Sequence, residues 1–384
     1  MRVAIVCSWL NQYGGAERVL EVLHALYPTA PVYTAMYDPR ACPPEYRTWD
    51  IRTSFLQRLP LVTRKHQWFL PLYPLAFEQF DLSGYDLVIN NSSAFSYGII
   101  TRPETCHLCY CLTPARFLWL FPDYAAREGF GRLARLVLPL FLNYLRTWDF
   151  LAAQRVDYFV AISQAVAARI RKFYRRPVLA VLHPPVPVER FRLAAPEDIG
   201  DFFLIVSRLV PYKRIDLAIA ACNHLRRRLK IVGDGRDRPR LERLAGPTIE
   251  FLGRQPDSVV RDLLARCQAL LFPGEEDFGL VPLEAQAAGR PVIAYGRGGA
   301  LETIVPGETG LFFAEPTAEA LAAVLADFQP RHFDPRRIRQ HAMAFDVGRF
   351  QERFRALVTE AYARHQAGLT GRSAEWSTAP VAGG

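Results

Sequence analysis

No stretch of this chain stays apolar and uncharged for the ~20 residues that a membrane-spanning helix needs. The longest charge-free apolar segments, His66–Phe77 and Leu136–Leu145, are shorter, and each carries a proline. No secretory leader is expected either, since a single arginine precedes one short apolar strand, Val3 to Cys7. Cysteine is sparse and odd in number, at seven. Cys106, Cys109 and Cys111 cluster, but Cys109 and Cys111 share one face of an expected strand and no second ligand pair accompanies them. Zinc is therefore disfavoured and buried, reduced thiols are expected, in a cytoplasmic, reducing setting. Disorder-prone composition is absent until about Ala367, where Gly, Ser, Thr, Ala and Pro take over; 367–384 are expected to be an unfolded tail. No Gly-x-Gly-x-x-Gly follows the first strand, which argues against a dehydrogenase.

What is present fits a two-domain globular chain: 384 residues, 50% hydrophobic and 22% charged. The net charge is +9, and residues 1–180 hold 20 Lys+Arg against 13 Asp+Glu. Basic residues there mix with aromatic ones, in Arg64-Lys65-His66-Gln67-Trp68-Phe69 and in Arg116-Phe117-Leu118-Trp119-Leu120-Phe121. No nucleic-acid motif appears, so an anionic membrane surface or a lipid-phosphate acceptor is the favoured partner. A solvated basic face without a partner is the alternative.

Apolar runs alternate with helical spacing along most of the chain. Val3–Cys7 leads into Gly14-Gly15-Ala16-Glu17, and Val19, Leu20, Leu23 and Leu26 follow at helical intervals over Arg18–Leu26. Further strands are expected at Leu87–Asn90, Cys106–Tyr110 and Tyr158–Ile162, with a long helix over Gly131–Ala153 broken at Pro139. The proline-rich stretch Pro184–Pro196 reads as a linker. A second series begins at Phe202–Val206 and continues through Leu229–Val232, Ile249–Gly253, Ala269–Phe272 and Pro291–Ala294. The fold class implied is α/β: two doubly wound parallel-sheet domains facing across a cleft, with ligands at the carboxyl ends of the strands.

Glu276 and Glu284 stand eight positions apart around a turn from a buried strand into a helix. Free N–H groups at a helix start attract an anion, and a carboxylate on either side could take hydroxyl protons. That arrangement suits a nucleoside diphosphate sugar, with one acid on the sugar and one on the ribose; the helix dipole alone would also favour acids there. Arg208 and Lys213 follow the strand that opens the second series. Two cations at that place could neutralise a departing diphosphate, or be ordinary surface charges.

Together these segments resemble the family 4 glycosyltransferases, retaining enzymes with the GT-B architecture of two Rossmann-like domains. The resemblance spans about 1–365. It is carried by Gly14-Gly15-Ala16-Glu17, Ser207-Arg208-Leu209 with Lys213, Gly233-Asp234-Gly235, Phe251-Leu252-Gly253-Arg254, Glu276 to Glu284, Gln286 to Ala294 and Gly298 to Thr303. It implies an acceptor-side domain over 1–183, a nucleotide-sugar domain over 184–345, and a terminal helix near 346–366 that returns to the first domain. Arg208 and Lys213 would hold the diphosphate. Glu276 would contact the donor sugar with the backbone at Phe278-Gly279, the N–H groups near Leu280 and Val281 would meet the phosphate, and Glu284 would bind the ribose. Arg254 would lie by the base, and Gly15 would let the first domain close over the pyrophosphate. Gly14, Glu17, Thr113 and Arg116 would face the acceptor. No metal or other cofactor is implied, in keeping with the missing Asp-x-Asp cluster.

The wording around Glu276 and around Tyr110 to Trp119 is similar to mannosyltransferases of bacterial O-antigen and exopolysaccharide assembly. That subgroup implies GDP-mannose as donor and a saccharide or polyprenyl-linked acceptor, with no nucleic acid and a peripheral position on the inner membrane face. A UDP-hexose donor is the alternative. The subgroup usually has His where this chain has Leu112, which cannot donate a hydrogen bond, so an altered activity is a second alternative.

Overall fold

A computed structural model describes residues 1–120 and 132–370. Thirteen short strands among the described residues divide into two sheets, and every strand pairing in them is parallel. The first sheet holds β1 (Val3–Cys7), β2 (Val32–Thr34), β3 (Ile51–Thr53), β4 (Leu87–Ser92), β5 (Cys106–Cys111), β6 (Tyr158–Ala161) and β7 (Ala180–Val181), in the order β3-β2-β1-β4-β5-β6-β7. The second holds β8 (Phe203–Val206), β9 (Leu229–Val232), β10 (Ile249–Gly253), β11 (Leu270–Phe272), β12 (Val292–Tyr295) and β13 (Gly310–Phe313), ordered β10-β9-β8-β11-β12-β13. β4 and β5 are buried along their whole length. That is the burial expected of parallel strands covered on both faces, and it explains why they read as apolar runs.

In both sheets the winding direction reverses beside the first strand, between β1 and β4 and again between β8 and β11. Loops leaving neighbouring strands diverge at such a point and leave a crevice at the carboxyl ends. The Gly14-Gly15 loop follows β1, Arg208 to Lys213 follow β8, and Glu276 follows β11. The topology thus delivers these segments to one cleft.

The proline-rich stretch lies between β7 and β8. Val186 N–H donates to Phe345 O at 2.9 Å, and Val188 N–H to the Asp346 carboxylate at 3.3 Å. Asp346 also caps the terminal helix, Val347–Leu369, so the chain's two crossings between the sheets are fastened to each other. On that helix Phe350 and Phe354 meet the Tyr110 ring of β5 edge-on, at 5.6 and 5.9 Å.

Several expectations need correction. Arg132–Gln154 is one helix with Pro139 inside it; a proline removes one intrahelical hydrogen bond, and the turns on both sides continue. The terminal helix runs to Leu369, so 367–369 are helical, while 371–384 lie outside the described residues. The first helix starts at Gly15 with Gly14 as its cap residue, and the helix after β11 starts at Leu280. Of the second basic-aromatic run, Arg116 turns into the cleft, Leu118 is buried, and Trp119 stacks on Phe173 at 5.0 Å and donates to Asp149 at 2.7 Å. Phe117 and Trp119 are partly buried and pack against the core of the first sheet; Phe121 lies outside the described residues.

Candidate active site

β11 ends at Phe272, and Pro273-Gly274 carries the chain across the loop that follows β8. A Cβ on Gly274 would lie 2.9 Å from the Cα and carbonyl oxygen of Lys213, so only glycine lets these backbones touch. The contact places Lys213 Nζ in an ion pair with Glu276 Oε1, and both side chains are largely shielded from solvent. A third loop, after β12, holds the other side. Gly299 N–H donates to Glu276 O at 2.9 Å. Gly298 has φ +62, and a Cβ there would fall 2.3 Å from that same oxygen. Glu276 is therefore positioned by backbone from two neighbouring loops.

The helix Leu280–Ala287 starts after Gly279 with no side-chain cap, so its first N–H groups are available to an anion. Leu280 and Val281 are half-buried at its start. A Cβ on Gly15 would stand 3.1 Å from Leu280 Cδ1, which puts the first lobe's glycine loop directly over the helix start. Glu284, one turn in, is buried and ion-paired with Arg18 of the first helix (Gly15–Leu26). Burial raises the Glu284 pKa, and the Arg18 charge acts against that rise. Arg18 also reaches Asp257 at 3.5 Å.

The cations gather around Tyr212. Arg208 is exposed and donates to the Tyr212 hydroxyl at 3.2 Å. Arg116 and Lys213 lie 5.3 and 5.2 Å from its ring centre. Asp277 is held by two arginines of the first lobe, Arg116 at 3.5 Å and Arg169, while Ser163 Oγ donates to its carbonyl at 2.6 Å. Phe278 is buried and stacks on His183 at 5.2 Å. His183 Nε2 lies 3.0 Å from Glu302, which also accepts from Gln164 N–H at 2.9 Å.

Of the residues singled out from sequence, Gly15, Arg116, Arg208, Lys213, Glu276, Phe278, Gly279, Leu280, Val281 and Glu284 converge on this cleft. Glu17, next to Gly14-Gly15, is buried and pushed up to about 7, chiefly by burial, and its Oε2 has no hydrogen-bond partner. Arg254 is exposed beyond β10, and Thr113 Oγ1 donates to Pro114 O at 3.0 Å. Leu112 is half-buried just past β5, its N–H on Ser92 O at 2.8 Å. His107 is wholly buried inside β5, away from the strand's carboxyl end. Sequence reasoning did not single out Arg18, Arg169, Ser163 or His183. Arg18 stands next to the glycine loop, and that adjacency was the available signal; the others meet the site only through the fold.

Chemically, the arrangement offers a cationic wall beside an uncapped helix start, a carboxylate paired to a lysine, and a buried carboxylate beyond. A diphosphate ester with hydroxyls on both sides is complementary to it.

The family described as glycosyl transferases group 1 matches residues 188–342. The human alpha-1,3/1,6-mannosyltransferase ALG2 is 30% identical over 355 residues, covering 79% of this chain and 81% of the relative. A GDP-mannose-dependent monoacylated alpha-(1-6)-phosphatidylinositol monomannoside mannosyltransferase of Corynebacterium glutamicum is 34% identical over 201 residues, 45% of this chain and 52% of the relative. Among solved structures, sucrose-phosphate synthase from Thermosynechococcus elongatus superposes with a TM-score of 0.73 at 19% identity, over 94% of this chain and 100% of that one. Anabaena Alr3699/HepE in complex with UDP gives 0.68 at 18% identity, over 94% and 100%. At that identity the two structures bear on the fold alone.

Proposed function

The chain belongs to the group 1 glycosyl transferases, with the GT-B architecture, and we propose that it moves mannose from GDP-mannose, with retention and without metal, onto a saccharide or polyprenyl-linked saccharide in surface polysaccharide assembly. The observation that carries the reading is the seating of Lys213 on Glu276 beside an uncapped helix start that leads to Glu284. The mannose donor is supported by relatives named as mannosyltransferases, three of which are named as GDP-mannose-dependent.

In this reading the diphosphate lies against the N–H groups at Leu280 and Val281, with Arg208 and Lys213 on its outer oxygens. Glu276 accepts from the sugar hydroxyls and Glu284 from the ribose. Arg254 is left for the base, and Gly14, Glu17, Thr113 and Arg116 for the acceptor side. The acceptor hydroxyl attacks the anomeric carbon on the face from which the diphosphate departs. The bond from that carbon to the diphosphate oxygen breaks, and the hydroxyl proton passes to the departing phosphate. Cations fixed where that negative charge grows stabilise the transition state. No step calls on a histidine at position 112. A peripheral place on an anionic membrane surface accompanies this reading; no helix among the described residues is long and apolar enough to cross a membrane.

A turnover assay across GDP-mannose, other GDP-sugars and UDP-hexoses tests it. Consumption of GDP-mannose with release of GDP is expected. Consumption of UDP-hexoses alone would overturn the donor, and no consumption of any nucleotide sugar would overturn the reading.

A further inference from the structure

The amino ends of β5 and β6 lie at the edge of the first sheet opposite the cleft. Cys106 begins β5, Asp157 precedes β6, and His365 arrives from the last turns of the terminal helix. One ligand atom from each, a thiol sulfur, a carboxylate oxygen and an imidazole nitrogen, lie within 4.8 Å of one another. They stand far apart in the chain; the pairing of β5 with β6 brings Cys106 beside Asp157, and the return of the terminal helix adds His365.

The surroundings are those of oriented ligands. His365 Nε2 lies 2.9 Å from Pro103 O, and a carbonyl accepts, so Nε2 carries the proton. That leaves Nδ1 facing Asp157 Oδ2 at 3.7 Å. In a neutral ring Nδ1 is itself an acceptor, so its lone pair and the carboxylate of Asp157 are two donors that one cation could share. Asp157 Oδ2 is fixed in turn by the His107 N–H at 2.7 Å. Outer hydrogen bonds of this kind, from ligand histidine to carbonyl and from backbone N–H to ligand carboxylate, orient the ligands of metal sites. Cys106 is fully buried and in no disulfide, and no hydrogen bond of its sulfur is found among the described residues. Thiolate, imidazole and carboxylate are the donors that zinc takes in tetrahedral sites, and at metal–ligand distances of about 2.0–2.3 Å neighbouring ligand atoms stand roughly 3.5 Å apart. The His365–Asp157 separation already has that length.

We propose that Cys106, Asp157 and His365 hold a zinc ion, with a water as fourth ligand. On binding, the Cys106 thiol releases its proton to solvent and the sulfur–zinc bond forms; nothing is oxidised or reduced. The ion would fasten the end of the terminal helix to the first sheet. It would take no part in transfer, since the group stands at the opposite end of β5 from Leu112 and the cleft.

The test uses the full chain stripped with a chelator and titrated with zinc alone, followed by calorimetry and native mass spectrometry, with cobalt as a spectroscopic substitute. One equivalent is expected to bind, cobalt should show thiolate-to-metal absorption, and zinc should raise the melting temperature. Cys106→Ser, a near-isosteric change, and His365→Gln, near the helix end, should each weaken binding at least 10-fold and abolish the zinc-dependent rise. Failure to bind one equivalent would overturn the proposal and leave a His365–Asp157 ion pair. Binding undiminished in both variants would overturn it too, by placing the metal elsewhere.

Discussion

Glu276 is held at its carboxylate by Lys213 and at its backbone carbonyl by the Gly299 N–H, so both ends of the residue are fixed. Replacing it with alanine removes a hydroxyl acceptor and strands a shielded lysine, while the loop's backbone contacts survive. Transfer should fall by orders of magnitude while the circular dichroism spectrum stays unchanged. Lys213→Ala and Arg208→Ala should each cost on the order of 3 kcal/mol of transition-state stabilisation, roughly 10²-fold in kcat. Steady-state kinetics with GDP-mannose read these losses, and near-normal rates would reject the assigned roles. Glu17 makes a different prediction. Its acid sits near 4.5 when solvated and near 7 in the fold, so the folded chain keeps a proton that the unfolded chain gives up. The stability tied to that proton is complete below about 4.5, is lost as pH climbs to about 7, and changes no further above that; the loss is on the order of 3 kcal/mol. Glu17→Gln keeps the shape and cannot ionise, so its urea midpoint should fall less than the wild type's between about pH 5 and pH 8. Equal falls in both proteins would place the titration elsewhere.

At the scale of elements, legibility followed length and burial. β4 and β5, six residues each and wholly buried, stand out as apolar runs, as does the strand–glycine–helix opening. β2, β3 and β7 are two or three residues long and leave no periodic signal to read. Glu276 was legible because a strand followed by glycine and charge marks a carboxyl-end loop, while Arg208 and Lys213, loop charges after a strand, took their role from the family resemblance. Arg18 and Arg169 were not, because their partners, Glu284 and Asp277, are more than a hundred positions away. The terminal helix was legible as a helix, but its hold on the first sheet rests on Phe350 and Phe354 meeting Tyr110. Phe354 is fully buried, so Phe354→Ala should cost about 3–5 kcal/mol through lost transfer and a residual cavity. Chemical denaturation measures this; a loss under about 1 kcal/mol would mean that the helix does not bear on the sheet.

For the whole molecule, the placement of charge separates two roles that composition could not. Part of the first half's positive excess is spent on closing the cleft: Arg18 meets Glu284, while Arg116 and Arg169 share Asp277. In each pair the cation comes from the first lobe and the acid from the second. The remainder includes Arg58, Arg64 and Lys65, which are exposed on one segment with Leu61, Trp68, Leu72 and Leu75. Lys65 Nζ lies 4.0 Å over the exposed Trp68 ring. An aromatic side chain with adjacent cations suits the headgroup region of an anionic bilayer, where each Lys or Arg contributes about 1 kcal/mol. Reversing two of them, in Arg64→Glu with Lys65→Glu, should therefore weaken binding to phosphatidylglycerol vesicles by at least about 30-fold. Trp68→Ala should weaken it through lost apolar contact instead, with the salt dependence left in place. None of these residues touches the cleft, so turnover of the nucleotide sugar in solution should be unchanged in both variants. Co-sedimentation at low and high salt decides the matter: salt-insensitive pelleting, or equal binding by wild type and the charge-reversed protein, would show that this face carries no membrane contact.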